Sequence, residues 1–426
     1  MSGGRKNDIQ MKEGETMGLI VQKFGGTSVG STERIMNAAE RAIEEKERGN
    51  DVVVVVSAMG KTTDQLVGLA REISASPSKR EMDMLLTTGE QVTISLLSMA
   101  LNEKGYESIS FTGWQAGIET EAVHGNARIV HIDPEKIQNQ LNQGKIVVVA
   151  GFQGVTEDGS ISTLGRGGSD TTAVALAAVL KADKCDIYTD VTGVYTTDPR
   201  YVKGARKLQS LSYDEMLELA NLGAGVLHPR AVEFAKNYEV PLEVRSSTER
   251  ERGTIIEEEP TMEENLVVRG VAFENAITKV AILGLEDSLK GLSTVFTTLA
   301  AHHINVDIII QSVAEGQTGS LSFSIKNDDL EETLKVLENN RDTLKYDRIE
   351  SESGLAKVSI VGSGMVSNPG VAAEMFEVLS SNGIQVKMVS TSEIKVSTVI
   401  SDSSMVKAVE ALHEAFELSG TPARNV

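Results

Sequence analysis

The sequence predicts an α/β protein: a mostly parallel sheet with helices on both faces, followed by two ferredoxin-like βαββαβ units. Three observations lead to this prediction. From residue 17 to residue 255, apolar runs alternate with helical patterns, which is typical of parallel strands joined by helices. Several runs are continuously apolar, as in strands buried on both faces. The remaining chain contains a repeat, in which Lys279–Gly284 matches Lys357–Gly362.

The elements of the first part follow from these runs. Strands are predicted at Leu19–Lys23, Asp51–Ser57, Lys145–Ala150, Asp186–Thr189 and Pro241–Val244. Helices are predicted at Ile35–Lys46, Gln91–Asn102, Thr171–Leu180 and Tyr213–Leu222. Around residues 249–260 the composition becomes charged and poor in apolar residues, which predicts a linker.

Each copy of the repeat is predicted to form a strand, a helix, two strands and a second helix. The second copy ends in the polar segment 417–426, which cannot supply a closing strand. An apolar segment, Val267–Phe273, precedes the first copy. We therefore hypothesise that Val267–Phe273 closes the sheet of the second copy, so that the first copy is inserted into the second.

Composition excludes several classes of protein. The 426 residues carry a formal net charge of −20 and no basic block, which argues against nucleic acid or an anionic membrane as the main partner. A single cysteine excludes an intrachain disulfide and a cysteine-based zinc site. No apolar run approaches the roughly 18–20 residues that span a bilayer, and residues 1–16 lack the apolar centre of a signal peptide. We expect a cytoplasmic protein.

The first chemical motif is Lys23-Phe-Gly-Gly-Thr-Ser-Val-Gly30, between a predicted strand and a predicted helix. Gly25 and Gly26 allow backbone N–H groups to approach an anion closely, and the following helix adds its dipole. Lys23 can reach the same anion as a point charge. An ordinary strand–turn–helix connection remains the alternative. The motif is neither a P-loop nor a dinucleotide-binding fingerprint, because the lysine precedes the glycines.

A second glycine-rich motif, Gly165-Arg-Gly-Gly-Ser-Asp-Thr-Thr172, opens another helix. Its amides can line an anion site, and Arg166 can bind a carboxylate through two hydrogen bonds. Ser169 or Asp170 can cap the helix, which is the purely structural alternative. Glu90, in Thr87-Thr-Gly-Glu90, is predicted to open a helix. No motif indicates a covalent nucleophile.

Taken in order, the motifs resemble those of the aspartate kinases of the amino-acid kinase family. They are KFGGTSVG, SAMGKTTD at 57–64, TTGE, FTGWQAGI at 111–118, GRGGSDTTA, YTDVTGVYTTDPR at 188–200 and LHPRAVEFA at 227–235. The repeated units resemble ACT domains, and the resemblance is closest to the lysine-regulated, monofunctional bacterial enzymes. One departure is Asp287-Ser-Leu-Lys290, where many relatives carry Asp-x-Pro-Gly.

The resemblance implies a domain organisation. Residues 17–250 would be the catalytic domain and 251–265 a linker. Residues 1–16, which precede Met17, are expected to be an untranslated leader or a disordered tail. Residues 266–350 would form the first ACT domain and 351–426 the second, with 267–273 as the candidate closing strand of the latter.

The resemblance also implies phosphoryl transfer from ATP, accompanied by Mg²⁺, to the β-carboxylate of L-aspartate. Lys23 and Asp170 would be catalytic, and no metal ligand is predicted among the side chains. The substrate would contact Ser57, Thr63, Glu90, Arg166, Gly167, Gly168 and Ser169. ATP would contact Lys23, Phe24, Gly25, Gly26, Thr189, Asp190, Tyr195, Asp198 and Arg200. Two alternatives remain open: another amino-acid or carbamate kinase, and an amino-acid-sensing ACT protein with an inactive kinase domain.

Regulation is expected through the ACT domains, which would pair across chains of a homo-oligomer. Lysine, alone or together with threonine, would be the effector. Its contacts would be Asp287, Asn305, Asp307, Gln311, Ser390, Thr391 and Glu393. Turn and strand-end chemistry is the alternative explanation for these residues.

Two internal methionines are candidate translation starts. Glu257–Glu259 requires purine-rich codons and lies shortly before Met262, as a bacterial ribosome-binding site would. A start at Met262 would give a short regulatory subunit and, as in some relatives, an α₂β₂ assembly. Lys12–Glu15 precedes Met17 in the same way. The alternative is that acidic linkers are simply rich in glutamate.

Overall fold

A computed structural model of the chain describes residues 18–223, 225–258, 266–285, 288–312 and 319–419. Met17 and Met262 lie outside the described residues. Contacts divide the chain into two compact units. The first takes the chain up to Gly193 and again from Val226 to Glu259, and the second takes Val194–Gly225 and the chain from Pro260 onward.

The elements up to residue 258 alternate as predicted. The strands are β1 (Leu19–Phe24), β2 (Asp51–Val56), β3 (Ser108–Phe111), β4 (Ile118–Thr120), β5 (Ile129–Ile132), β6 (Ile146–Ala150), β7 (Gln153–Thr156), β8 (Ile161–Thr163), β9 (Lys184–Thr189), β10 (Ser210–Ser212), β11 (Leu242–Ser246) and β12 (Thr254–Glu257). The helices are α1 (Thr32–Glu47), α2 (Thr62–Ile73), α3 (Lys79–Glu103), α4 (Glu135–Leu141), α5 (Gly168–Leu180), α6 (Tyr213–Asn221) and α7 (Pro229–Asn237). Of these, β10 and α6 belong to the second unit.

Seven strands of the first unit lie side by side in the order β12-β11-β9-β1-β2-β6-β3. Every pair is parallel except β11 with β12. Val52–Val56 is fully buried, which explains its continuous apolar sequence. Phe24 lies level with Val56 and with Tyr188, so β1, β2 and β9 end at the same edge. The predicted fold class is confirmed. A smaller sheet, β5-β4-β7-β8, was not predicted.

Two sequence predictions in this unit were wrong. Glu90 does not open a helix, because α3 begins at Lys79 and Glu90 lies near its middle. The segment predicted as a linker, 251–265, contains strand β12, which pairs antiparallel with β11. By length and composition α3 could cross a membrane, but half of its most apolar window is buried inside the protein, as in the core helix of a globular domain.

From Gly270 onward, the described residues of the second unit form a six-stranded sheet and four helices longer than one turn. Its strands are β13 (Gly270–Leu285), β14 (Ile309–Ser312), β15 (Gly319–Lys326), β16 (Arg348–Val361), β17 (Met388–Thr391) and β18 (Lys395–Ser401). Its helices are α8 (Ser288–Ala301), α9 (Leu330–Asn339), the single turn α10 (Arg341–Leu344), α11 (Val371–Ser381) and α12 (Met405–Ala415). The strand order is β14-β15-β13-β16-β18-β17.

Two long strands join the repeats. The first half of β13, Gly270–Glu274, pairs with Lys357–Val361 of the second repeat, which is the pairing that the insertion hypothesis requires. The second half of β13 pairs with Arg348–Glu352, a strand segment that was not predicted because it is charged and exposed. Between the halves, Ala276 has a φ of 58° and the register shifts. The repeats therefore share one sheet with an irregularity at their junction.

Residues 194–223 pack on the second repeat. The backbone N–H of Val271 donates to the carbonyl of Thr196 at 2.7 Å. Glu215 accepts hydrogen bonds from the N–H and the hydroxyl of Ser363, at 2.9 and 2.7 Å. The Thr196 hydroxyl lies 2.9 Å from Nε2 of His413, which is buried on α12. The segment that follows Gly193 is thus held by the C-terminal repeat.

Candidate active site

The carboxyl edge of the parallel sheet gathers the loops that follow β1, β2 and β6. The N–H of Ser57 donates to the carbonyl of Phe24 at 3.1 Å, and the N–H of Gly151 donates to that of Val56 at 3.0 Å. The N–H of Gly60 donates to the carbonyl of Gly26 at 2.9 Å. In open α/β sheets, ligands bind at this edge. The predicted motifs that follow β1, β2 and β6 therefore converge at the edge where ligands bind in such sheets.

Lys23 and Asp170 form an ion pair at this edge. Lys23 is the penultimate residue of β1, and Asp170 lies in the first turn of α5. The Lys23 Nζ lies 2.6 Å from Oδ1 of Asp170, and each side chain is 12% exposed. The Asp170 carboxylate restricts the orientations that the Lys23 ammonium group can adopt. The ammonium therefore stays at this edge of the sheet, where it can contact an anion.

Glycines allow the loops around this pair to approach closely. A Cβ on Gly26 would lie 2.9 Å from the carbonyl oxygen of Ala58, and a Cβ on Gly151 would lie 2.8 Å from Oγ of Ser169. Gly167 has a φ of 68°, and a side chain there would collide with the ring of His228. The loop after β1 is thus in close contact with the loop after β2, and the loop after β6 with the start of α5, where a helix can bind an anion.

Glu90 is buried beside the loop that follows β2. Its Oε1 accepts a hydrogen bond from the N–H of Ala58 at 3.1 Å, and its Oε2 is buried without a hydrogen-bond partner among the described residues. Burial raises the pKa of Glu90 to about 7, although the backbone hydrogen bonds oppose the shift. An unpartnered buried carboxylate oxygen is suited to receive a cationic ligand.

The remaining predicted residues of the first unit lie around this centre. Arg166 is exposed on the loop before α5, whereas Gly168 and Ser169 are buried within its first turn. Ser57 and Thr63 are half-buried in the segment after β2. The hydroxyl of Thr189 lies 3.0 Å from Oδ1 of Asp190, at the end of β9.

Three predicted nucleotide contacts belong to the second unit: Tyr195, Asp198 and Arg200. Asp198 and Arg200 bind each other through several contacts, including 2.6 Å between Nη2 and Oδ2. The Arg200 hydrogen bonds lower the pKa of Asp198. Tyr195 forms an antiparallel bridge with Lys207.

The predicted effector contacts are spread over the second unit. Asp287 lies outside the described residues. Gln311 is on β14, whereas Ser390 and Thr391 are on β17, at the other edge of the sheet. Asn305 and Glu393 are exposed. Asp307 is already bound to the buried ammonium of Lys357, which also lies 2.9 Å from Oε2 of Glu274.

Sequence reasoning assigned no role to three polar residues next to the site, Asp83, His228 and Arg230, although the last two lie in the quoted motif LHPRAVEFA. Burial lowers the pKa of the His228 imidazole, while the charge of Asp170 opposes this shift. His228 caps α7 and precedes a proline at its first position, which is a helix-start signal that the sequence offered. Asp83 had no local signal, because its role depends on residues about 40 and 80 positions away.

Comparison with known proteins fixes the family. Residues 18–246 match the model of the amino acid kinase family, and residues 279–340 and 358–416 match two ACT domain models. An aspartokinase of Bacillus sp. (strain MGA3) is 78% identical over 409 residues, which cover 96% of this chain and 100% of that protein. The chain belongs to the aspartokinase family.

Solved aspartokinases share the fold. The crystal structure of E. coli aspartokinase III in complex with aspartate and ADP, in the R-state, is 27% identical and has a TM-score of 0.79. The structure of the same enzyme with lysine and aspartate, in the T-state, is 27% identical with a TM-score of 0.73. Each comparison covers 93% of this chain and 99% of the other. The sequence prediction of an ATP-dependent aspartate kinase is confirmed.

Proposed function

We propose that this aspartokinase transfers the γ-phosphoryl group of ATP to the β-carboxylate of L-aspartate at the Lys23–Asp170 centre, giving ADP and 4-phospho-L-aspartate. The assignment of the centre rests on the 2.6 Å ion pair, in which Asp170 holds the Lys23 ammonium at the edge of the sheet where the loops begin. This reaction would be the first step toward lysine, threonine and methionine, carried out in the cytoplasm.

The mechanism needs charge stabilisation rather than a strong base. A β-carboxylate is already ionised near pH 7, so it can attack the γ-phosphorus without losing a proton. Lys23 and the N–H group of Gly26 would contact the phosphoryl oxygens, where negative charge develops, and Gly25 would line the same turn. Asp170 would hold Lys23 in place during transfer. Thr189 and Asp190 are the proposed contacts of the nucleotide in the first unit, and Tyr195, Asp198 and Arg200 stay sequence-based predictions.

Mg²⁺ fits this arrangement as a companion of ATP. Among the described residues, no group of three or more His, Cys, Asp or Glu side chains could hold a metal ion. A cation that keeps the phosphate oxygens and water as most of its ligands suits such a site. Asp170 is the carboxylate that would contact it. When bound, Mg²⁺ would neutralise charge on the phosphates.

The substrate would be recognised at its two other charged groups. Arg166 can form two parallel hydrogen bonds to the α-carboxylate, and the unpartnered oxygen of Glu90 can accept from the α-ammonium. Ser57, Thr63 and Ser169 would complete the pocket, with the backbone of Gly167 and Gly168 beside them. Together these contacts would leave the β-carboxylate free to face Lys23.

Arg166→Ala is expected to raise the KM for aspartate by at least about tenfold and the KM for ATP much less, because the lost contact is to aspartate alone. Steady-state kinetics with each substrate varied in turn measures both constants. Equal increases in the two KM values would contradict the assigned role. Arg128→Ala, an exposed arginine on another loop of the same unit, is the matched control.

One assay separates this proposal from its alternatives. ADP release is followed with aspartate, glutamate and N-acetylglutamate in parallel. Release with aspartate only supports the proposal. Release with another acceptor instead would indicate another amino-acid kinase, and no release with any acceptor would indicate an amino-acid sensor with an inactive kinase domain.

Regulation by lysine, alone or with threonine, is proposed through the ACT domains. The E. coli enzyme that shares this fold has been crystallised with lysine in its T-state. In this chain, the predicted contacts on β14 and β17 are separated by five strand spacings of about 4.8 Å each. One effector molecule can therefore contact Gln311 and Ser390 together only if they come from different chains.

The edge strand β14 supports assembly across chains. All four of its residues are exposed, including Ile309 at 49% and Ile310 at 37%. An exposed apolar edge strand commonly pairs with another chain. Asp307 would be a weaker effector contact than predicted, because Lys357 already neutralises its carboxylate.

Millimolar lysine is expected to inhibit the enzyme and raise its melting temperature, and Ile310→Lys is expected to weaken both effects together with oligomerisation. Light scattering, thermal melts and inhibition curves measure the three quantities. Val406→Lys, at an exposed position on α12, is the control. Unchanged lysine inhibition in a monomeric Ile310→Lys variant would contradict an effector site between chains.

A further inference from the structure

Two charged side chains that the mechanism does not use lie beside the loop that carries Arg166. Asp83 is fully buried on α3, two turns before Glu90. Its carboxylate accepts hydrogen bonds from the Thr163 hydroxyl at 2.6 Å and from the Gly125 N–H at 3.1 Å, and it lies 2.8 Å from Nδ1 of His124. Asp83 thus joins the end of β8 to the loop 124–127.

Arg230, on α7, joins the same two segments from the other side. Its Nη1 donates to the carbonyl of Leu164 at 2.8 Å and to Oδ1 of Asn126 at 3.1 Å, and its Nη2 donates to the carbonyl of Ala127 at 3.2 Å. The planar guanidinium suits this multiple contact, because its donors are fixed relative to one another.

Together these contacts close a ring. From Asp83 the ring runs through Gly125 to Asn126, through Arg230 to Leu164, and through Thr163 back to Asp83. The next residue, Gly165, has a φ of 77°, and a Cβ there would lie 2.8 Å from Oδ1 of Asn126. The backbone that enters the Arg166 loop is therefore in contact with the ring, whereas Arg166 itself is exposed.

We propose that Asp83 and Arg230 are positioning residues for aspartate: through the ring they hold the Arg166 loop so that the guanidinium meets the α-carboxylate. Neither residue touches the substrate. Because α3 carries both Asp83 and Glu90, one helix aligns the sites for the α-carboxylate and the α-ammonium. The inference rests on the role proposed above for Arg166. Misplacement of a binding group by about 1 Å is enough to cost large factors in rate.

Steady-state kinetics of Arg230→Met, Arg230→Lys and Asp83→Asn test the proposal. We expect Arg230→Met to raise the KM for aspartate about tenfold, with less than about a twofold change in the KM for ATP. Arg230→Lys keeps the positive charge but loses the planar guanidinium with its fixed donors. The KM for aspartate should therefore rise by less than in Arg230→Met. Glu233→Gln, at an exposed position on α7, should leave both constants unchanged.

A double-variant cycle separates this inference from the assignment of Arg166. If Arg230 acts through Arg166, then Arg230→Met should raise the KM for aspartate little further in an Arg166→Ala background. The positioning role is wrong if the two substitutions together raise the KM for aspartate by the product of their separate factors. It is also wrong if the KM values for aspartate and ATP change equally. An unchanged KM for aspartate in Arg166→Ala would instead overturn the proposed substrate contact.

Asp83→Asn disturbs a buried carboxylate and can fail to fold, so Asn126→Ala provides a second test of the ring. Asn126 is exposed, and its truncation removes one of the three acceptors of Arg230, the only one that a side chain supplies. The expected result is a two- to fivefold rise in the KM for aspartate at an unchanged melting temperature, on the order of one lost hydrogen bond. No rise in a folded Asn126→Ala variant would contradict the ring.

Discussion

Lys23→Ala is expected to lower kcat by about 10²-fold or more while the protein stays folded. The physical reason is that the ammonium faces charge that develops on the phosphoryl group mainly in the transition state. Loss of such a contact lowers kcat more than it raises KM. Single-turnover measurements with saturating ATP and aspartate isolate the transfer step, and a thermal melt reports the fold.

Two further variants test this assignment. Asp170→Asn keeps the size of the side chain but removes the charge that holds Lys23 at 2.6 Å, so its kcat should fall as well. Lys104→Ala breaks a surface ion pair with Glu40, at 3.1 Å, and should leave kcat unchanged. Near-normal kcat in a folded Lys23→Ala variant would exclude Lys23 from catalysis.

The parts of the fold that sequence predicts are those whose cause is local. Val52–Val56 is buried on both faces, so its apolar run directly records its position in the sheet. Arg348–Glu352 is a strand only because β13 lies beside it, and its charged sequence carries no strand signal. The sequence therefore predicts buried parallel strands better than exposed strands that depend on a distant partner.

Helix α3 contains a glycine, Gly89, whose presence is explained by packing at the candidate site and not by helix propensity. The sequence predicts that Glu90 opens a helix, but Gly89 and Glu90 both lie inside α3. A Cβ at Gly89 would lie 2.8 Å from that of Ala58, so the glycine allows the helix to pack against the loop after β2. The same close approach lets Glu90 accept from the N–H of Ala58. Gly89 therefore helps to place the buried carboxylate.

The residues of the candidate site likewise differ in whether the sequence alone reveals them. Lys23, Asp170 and Arg166 lie in short glycine-rich motifs, so the sequence alone could single them out. Asp83 and Arg230 act through contacts between distant segments, and only the structure brings these together.

Glu90→Gln is expected to abolish tight binding of aspartate and, above pH 7, to make the unliganded protein more stable. In the wild-type protein, burial raises the pKa of Glu90 from 4.5 to about 7. The folded state therefore binds the proton more tightly than the unfolded state. The stabilisation from this group is fully present below pH 4.5 and is lost as the pH rises through 7. The loss at pH 8 is about 3 kcal/mol at most, by the free energy of each pKa unit.

As the pH rises through 7, aspartate binding should therefore strengthen while the unliganded wild-type protein becomes less stable. Only the ionised carboxylate pairs with the α-ammonium, so kcat/KM for aspartate should fall as the pH drops below about 7 and approach a tenfold loss per pH unit. Glutamine at this position cannot ionise, and we expect Glu90→Gln to have a low kcat/KM without this pH dependence. Glu81→Gln, an exposed acid on the same helix, should behave like the wild-type protein.

Two measurements test this role of Glu90. They are thermal melts from pH 4.5 to 8.5 and kcat/KM profiles over the pH range in which the enzyme remains folded. The difference in melting temperature between Glu90→Gln and wild type should be near zero at pH 4.5 and should favour the variant at pH 8. Saturating aspartate should reverse that order, because the bound ammonium stabilises the ionised Glu90 of the wild-type protein. A variant that is less stable than wild type at pH 8 without aspartate, or a flat wild-type profile between pH 6 and 8, would contradict a buried, substrate-binding Glu90.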